Sequence, residues 1–391
     1  MGLDVYGDVV VVGGGPAGLF CATELARCGF KTLLLEEHAS VAENVLCTGI
    51  IGIDAFQEFP LPRESIVGLL DPIKAVSSHG TEIPYTPQQP MAYIVEKGAF
   101  NQGLAARAIS AGAVILTSTR AQRLEVDEGE VCLQATAAEG ECLRLHAAVA
   151  VLACGVNYQL TKQLGLGAPR EFLQGAQAEV PWVWTAGTEV LLNKTFSPEA
   201  FAWVVPLQNG RTRVGVMRAR NARGALMQIL DRTVPQWRER PDIQLASKPI
   251  AQTPLRRSYA ERVLVVGEAA GQVKATTGGG IYYGLLAARI AAETIGTAFA
   301  SGCFTAAAMG SYERRWQALL AEELALGLAF RKLYGWLNDR QVDGLLHYIA
   351  RHGLKDLIRQ KAHFDWHREL ITEMGRSLPL GHLCMSLLFG L

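Results

Sequence analysis

The sequence predicts an α/β protein with a doubly wound nucleotide-binding domain split along the chain, an inserted β-sheet domain and a C-terminal helical region. Three observations predict it. A glycine-rich turn joins a strand to a helix within residues 8–29. A second strand, glycine-rich loop and helix return far along the chain, at residues 262–295. Between and beyond them the hydrophobic period changes, to strand-like alternation over residues 172–254 and to helical spacing after 301.

The elements follow in order. "DVVVVGG" is a β-branched run ending in glycine and reads as a buried strand. "PAGLFCATELARCG" has Pro16 at a helix start and Gly29 at its stop. "FKTLLLEE" is the second strand, completing a βαβ unit. "PIKAVSSHGTEIPYTPQQP" reads as hairpin or loop, "NQGLAARAISAG" as a helix and "AVILTS" as a strand. "RAQRLEVDEGEVCLQAT" and "ECLRLHAAVAVLACG" suggest antiparallel strands. "TEVLLNKTF", "FAWVVPLQNG" and "RTRVGVMRA" continue the strand pattern. The clearest late helix is "RRWQALLAEELALGLAFRKLYGWL", expected to frame the mouth of a tunnel from Leu319 to Trp336. The expected division is 1–70, 96–170 and 255–300 for the nucleotide domain, 71–95 and 171–254 for the β-rich domain, and 301–391 for the helical region.

Composition narrows the function. Of 391 residues, 49% are hydrophobic and 19% charged, so the chain folds. Its 37 basic and 37 acidic residues cancel, which argues against nucleic acid as a partner. The eight cysteines form no C-x-x-C pair, so no metal site is expected. No secretory start and no membrane span are visible, and a reduced cytoplasmic setting fits, with peripheral membrane contact left open. The terminal run "RSLPLGHLCMSLLFGL" is too short to span and reads as an interfacial anchor or a helix capping the core.

The chemistry starts at Gly13, Gly15 and Gly18, a G-x-G-x-x-G between strand and helix. The first allows the tight turn, the second lets backbone approach a pyrophosphate, and the third permits close helix packing. Pro16 and Ala17 open the helix, whose free N–H groups favour an anion. Glu36 ends the second strand, where a carboxylate can accept from an adenosine ribose, and Glu37 takes that role if the strand ends one residue later. The second cluster carries Gly267, Glu268, Ala269 and Gly271, then Thr277, Gly278, Gly279, Gly280 and Ile281. A ligand reaching both ends of the chain suits FAD better than a diffusible coenzyme.

The chain resembles the FAD-dependent geranylgeranyl reductase family, within the flavoproteins of the glutathione reductase and p-hydroxybenzoate hydroxylase type. "VVGGGPAGLFCA", "ENVLCTG", "FAWVVP" and "GEAAGQVKATTGGGIYYGLLAARIAA" carry the resemblance. It implies a Rossmann-like FAD domain with an inserted β-sheet substrate domain. The implied reaction is hydride transfer from reduced flavin to an isoprenoid double bond, in a lipid or pigment precursor. The electron donor is left between NADPH and a ferredoxin-like protein. Cys47, followed by Thr48 and Gly49, matches the cysteine the family places beside the flavin ring. Phe201, Trp203 and Pro206 match its aromatic-x-Trp-x-x-Pro motif, lining a slot for an isoprenoid chain or filling an ordinary core.

Several positions depart from the family. Glu268 replaces an Asp that bonds the ribityl chain, and Ala275 replaces a Pro, which predicts a less rigid loop. Cys154 stands where the hydroxylase branch has a cofactor-binding Asp. Glu96 and Asn101 replace the Arg and Asp of a helix-entry motif, with Lys97 as a substitute. Two rival readings stay open: a flavin monooxygenase of an aromatic or lipid substrate, and a flavin- or isoprenoid-binding protein without turnover.

Overall fold

The computed structural model describes residues 3–43, 46–127, 129–234 and 236–377. A six-stranded sheet forms its centre. In spatial order the strands are Tyr259–Ala260, Val263–Val265, Val149–Leu152, Val9–Val12, Thr32–Leu35 and Val114–Leu116. All neighbours are parallel except the first pair. Val9–Val12, Thr32–Leu35 and Val149–Leu152 are buried at every position, as strands covered on both faces must be.

One face is covered by helices Pro16–Arg27, Lys97–Ser110 and Ile281–Ser301, packing Leu19, Leu25, Phe100, Leu104, Leu285 and Ile295. The other is covered by a small sheet of Leu3–Tyr6, Cys142–Ala147, Val131–Thr136 and Arg120–Val126, through Leu124, Leu133 and Leu145. The alternating stretch at 120–147 is antiparallel as expected. Its continuation "VAVL" is not: Val149–Leu152 enters the central sheet parallel to Val9–Val12. Four consecutive apolar residues cannot present a polar face, so this strand belongs inside.

A seven-stranded sheet forms the second layer system, in the order Leu245–Ala251, Phe172–Val180, Thr212–Arg218, Ala202–Pro206, Thr188–Leu192, Ile73–Ser77 and Glu82–Tyr85. Its outer face (Ala176, Ala178, Ala202, Val214, Val216) is covered by helix Ala222–Thr233. The strand-like reading of 172–254 missed this helix. Its signal is Ala222, Ala225, Leu226, Ile229 and Leu230 at helical spacing, with Asn221 accepting from the Gly224 N–H as the cap. A three-stranded sheet of Ile50–Gly52, Ala92–Val95 and Ile66–Leu69 joins the two larger sheets.

The late region is helical: Ala306–Trp336, Asp339–Arg351, Leu354–Lys361 and Arg368–Ser377. Met309, Tyr312, Trp316, Leu320 and Leu324 make one buried stripe on the long helix. The Tyr312 hydroxyl donates to Val265 O at 2.7 Å and the Trp316 indole to Ser258 Oγ at 2.9 Å, fastening that helix to the sheet edge. Helices Asp339–Arg351 and Leu354–Lys361 pack Leu346, Ile349 and Leu354 against Ile83 of the 73–85 hairpin. The apolar tail expected to anchor or cap lies, from 378 on, outside the described residues.

Candidate active site

One continuous cavity of about 590 Å³ runs from the first glycine turn to the inner face of the seven-stranded sheet. Its first wall is Gly13–Ala17 with Glu36 and Glu37. Gly13 adopts φ +113, and a Cβ there would lie 2.4 Å from Ala153 O. Gly18 does not line the cavity; a Cβ on it would lie 2.0 Å from Gly13 O, so its role is packing. Gly15 has open space before it, and helix Pro16–Arg27 has no side-chain cap at its start. The first-turn N–H groups therefore look for acceptors from the cavity. Glu36 closes the turn by accepting from Gly14 N at 2.8 Å and His38 N at 2.9 Å. Glu37 ion-pairs with Arg120 at 3.6 Å.

The second glycine cluster meets the first. A Cβ on Gly267 would lie 2.9 Å from the Ala17 Cβ, and Gly267 has φ +67. Glu268 lines the cavity and pairs with Lys248 at 3.1 Å. Ala269 and Gly271 do not line it: Ala269 is fully buried, and Gly271 turns against Thr253 O. Thr277 to Ile281 form the next wall, and helix Ile281–Ser301 also starts without a side-chain cap. The loop through Ala275 is closed by Lys274 N donating to Gly279 O and Gly278 N to Lys274 O.

Lys274 is itself held by the C-terminal region. Its Nζ donates to Asp365 Oδ1 at 2.7 Å and to Phe364 O at 2.9 Å, and Phe364 and Asp365 line the cavity. No sequence signal marked Asp365, which lies 91 residues from its partner. The helix 319–336 expected at the mouth contributes nothing to the lining; Gly327 lies beside Thr276 of the loop, and Glu323 accepts from the N–H of His367, whose ring bonds Thr276.

The third wall holds Cys47, Thr48 and Gly49, with Lys97 and Asn101. Glu96 is an exposed helix cap, accepting from Gly98 and Ala99 N–H. The cation facing the cavity is Lys97, which donates to Asn101 Oδ1, while Asn101 Nδ2 donates to Val41 O. Burial lowers the Lys97 pKa to about 8, with the neighbouring charge of Lys248 pushing the same way and Cys47 opposing. Burial also opposes the charge on Lys248, but the Glu268 carboxylate and Cys47 together outweigh it and the pKa ends above the usual lysine value. Desolvation pushes the Cys154 thiol up to about 12, so it stays a neutral thiol donating to Val12 O.

The last wall is the inner face of the seven-stranded sheet. Gly175, Gln177, Phe201, Trp203, Val205, Met217, Lys248 and Ile250 point inward on alternate positions. Thr188, Val190, Leu70 and Ile73 extend it. Pro206 ends its strand opposite Thr212 and does not line the cavity. Lys248 and Gln177 escaped sequence reading because inward orientation depends on register across three strands.

A family model for pyridine nucleotide-disulphide oxidoreductases matches residues 7–175. The chain is 30% identical over 368 residues to digeranylgeranylglycerophospholipid reductase 2 of Methanothermobacter thermautotrophicus, spanning 90% of this chain and 93% of that one. The chain belongs to the FAD-dependent geranylgeranyl reductase family. Its fold is also that of a geranylgeranyl bacteriochlorophyll reductase-like protein from Thermoplasma acidophilum, with TM-score 0.85 and 20% identity over 98% and 99% of the two chains. A p-nitrophenol 4-monooxygenase from Pseudomonas putida shares the architecture at TM-score 0.72 and 16% identity, over 96% and 98%. As a family member the chain is a flavoprotein oxidoreductase.

Proposed function

We propose that this reductase-family chain saturates carbon–carbon double bonds in the geranylgeranyl chains of a lipid or pigment precursor. One observation carries the reading: the cavity is continuous from the two glycine clusters to a largely apolar wall containing Phe201, Trp203, Met217 and Ile250. A long apolar ligand with few polar handles fits such a wall. The methanogen relative's name, a reductase of a digeranylgeranyl glycerophospholipid, agrees with it.

The residues fit FAD. Two helix starts without side-chain caps, at Pro16 and Ile281, face one cavity, and Gly15 leaves room for a phosphate to reach the backbone. Glu36 or Glu37 would take the adenosine ribose, Gly13–Gly18 the pyrophosphate, and the 277–281 loop the ring. When bound and reduced, the flavin supplies the hydride equivalent to one alkene carbon. The chain's own work is to hold the alkene flat against the aromatic wall, exclude water, and deliver a proton to the other carbon. Cys47 is the proton donor in this reading. Lys97 and Lys248 lie within electrostatic reach of its sulfur and steady the charge left behind.

The electrons enter from NADPH or a ferredoxin-like protein. A polyprenyl substrate partitions into lipid, so the chain meets a bilayer surface or a carrier; no described helix is long and apolar enough to cross one. The test is anaerobic mixing of dithionite-reduced holoprotein with a geranylgeranyl lipid. Flavin reoxidation without oxygen, with one H₂ gained per bond, is expected. Reoxidation only with oxygen and a hydroxylated product would establish the monooxygenase instead. Stably bound FAD with no product under either condition would leave a binding protein.

A further inference from the structure

The Cys47 turn is held from the seven-stranded sheet. Gln177, Gly215 and Trp203 stand side by side on three neighbouring strands: Gln177 faces Gly215, and Gly215 faces Trp203. Gly215 has no side chain to keep the indole off; a Cβ there would lie 2.2 Å from Trp203 Cζ2. The indole therefore lies across the middle strand and reaches the next. Its Nε1–H donates to Gln177 Oε1 at 3.2 Å. Gln177 Nε2 donates in turn to Cys47 O at 3.3 Å. One residue on, Arg213 Nη1 donates to Thr48 O at 2.7 Å and to Val95 O at 3.1 Å, and its Nε pairs with Glu179 at 3.3 Å.

We propose that Gln177 is a positioning residue that couples the placement of Trp203 to the placement of Cys47. The primary amide is suited to this. It accepts from a group that can only donate and donates to a group that can only accept, which fixes its orientation. Leucine fills the same space and does neither. Glutamate keeps the indole bond but turns a carboxylate oxygen toward the Cys47 carbonyl. An isoprenoid chain resting on Trp203 then sets the turn that carries the thiol. The catalytic meaning of this coupling rests on the reading of Cys47 given above, but its structural content does not.

The test is the rate at which iodoacetamide alkylates Cys47 in the holoprotein, followed by peptide mass spectrometry. Wild type is compared with Q177L, Q177E, W203F and the W203F/Q177L double variant. Losing one neutral hydrogen bond that restrains the turn raises the Cys47 rate roughly fivefold in Q177L and Q177E. The exposed Cys28 and Cys303 keep their rates, and FAD content is unchanged. W203F raises the Cys47 rate less, and the double variant matches Q177L alone, because one path carries both effects. Unchanged Cys47 alkylation in a folded Q177L or Q177E protein overturns the proposal, as does multiplication of the two effects in the double variant. If Q177L fails to fold, Q177E carries the same prediction. Undiminished alkene reduction in C47A would remove the proton-donor role and leave this alkylation result standing, so the two failures are distinct.

Discussion

Asp365→Ala tests how the C-terminal region completes the cavity. The Lys274 and Asp365 side chains are 5% and 3% exposed, and their atoms stand 2.7 Å apart. The surrounding segment is tied in by Tyr283 donating to Asp365 O at 2.7 Å and by Glu323 accepting from His367 and Arg368 N–H. Removing the carboxylate leaves Lys274 buried beside Phe364 O with no counter-charge. Breaking one half of such a pair costs about 3–5 kcal/mol, most of it the penalty of the stranded charge. Removing both halves, as in Lys274→Met with Asp365→Leu, costs far less, because no charge is left in low dielectric. The assay is urea unfolding of each protein, with FAD content measured on the same samples. D365A should lose several kcal/mol and release FAD, since Lys274 shapes the 277–281 loop from beneath. The double variant should recover most of the stability. A loss in D365A below about 1 kcal/mol, typical of an exposed pair, would refute the argument. So would a double variant less stable than either single one.

Gly15→Ala should leave the fold intact, because φ is −75° and nothing lies within 4 Å of the added methyl. It should nevertheless weaken FAD binding at least about tenfold, the effect of roughly 1.4 kcal/mol, read by flavin fluorescence; unchanged affinity would move the phosphate elsewhere. Lys97 supplies a pH signature: its pKa of about 8 rises when an anionic ligand binds, so FAD affinity should fall as pH passes upward through about 8. K97M should bind more weakly and show no such step. Burial lowers the His367 pKa to about 4, against about 6.5 when unfolded. The unfolded chain therefore binds the extra proton between those values, and stability falls as pH drops from about 6.5 toward 4, by up to about 3 kcal/mol before solvent screening. H367Q should flatten that part of a denaturation-versus-pH curve.

What was legible in the sequence was whatever local chemistry demands. Gly13 must turn and Gly18 must pack, so their spacing announces strand, turn and helix before any tertiary contact is known. The return at Val263–Val265 was legible for the same reason. Helix Ala222–Thr233 was not, because its short stripe of Ala222, Ala225, Leu226, Ile229 and Leu230 lies between long alternating strands. The parallel strand Val149–Leu152 was absorbed into the preceding antiparallel run, since only one residue separates it from Cys142–Ala147. Orientation and sheet membership there are decided by which neighbours remain free in the central sheet.

The departures from the family pattern become coherent only in three dimensions. Glu268, where the resemblance implies an aspartate, is one methylene longer, and its carboxylate pairs with Lys248 of the seven-stranded sheet. The nearby proline-to-alanine change at Ala275 is met by backbone closure of the loop and by Lys274 fastened to Asp365. Two of the cavity's lysines are thus committed to carboxylates. Lys97 has an amide oxygen as its partner, and burial lowers its pKa. We propose that it stands in for the helix-entry arginine, because its charge faces the cavity with an amide oxygen, not a carboxylate, as its hydrogen-bond partner. Glu268 and the loop after Ala275 thus each have a contact from another element, Lys248 for the first and, through Lys274, Asp365 for the second. Those contacts run between the nucleotide-side loops, the seven-stranded sheet and the C-terminal segment, so the cavity is a joint product of all three.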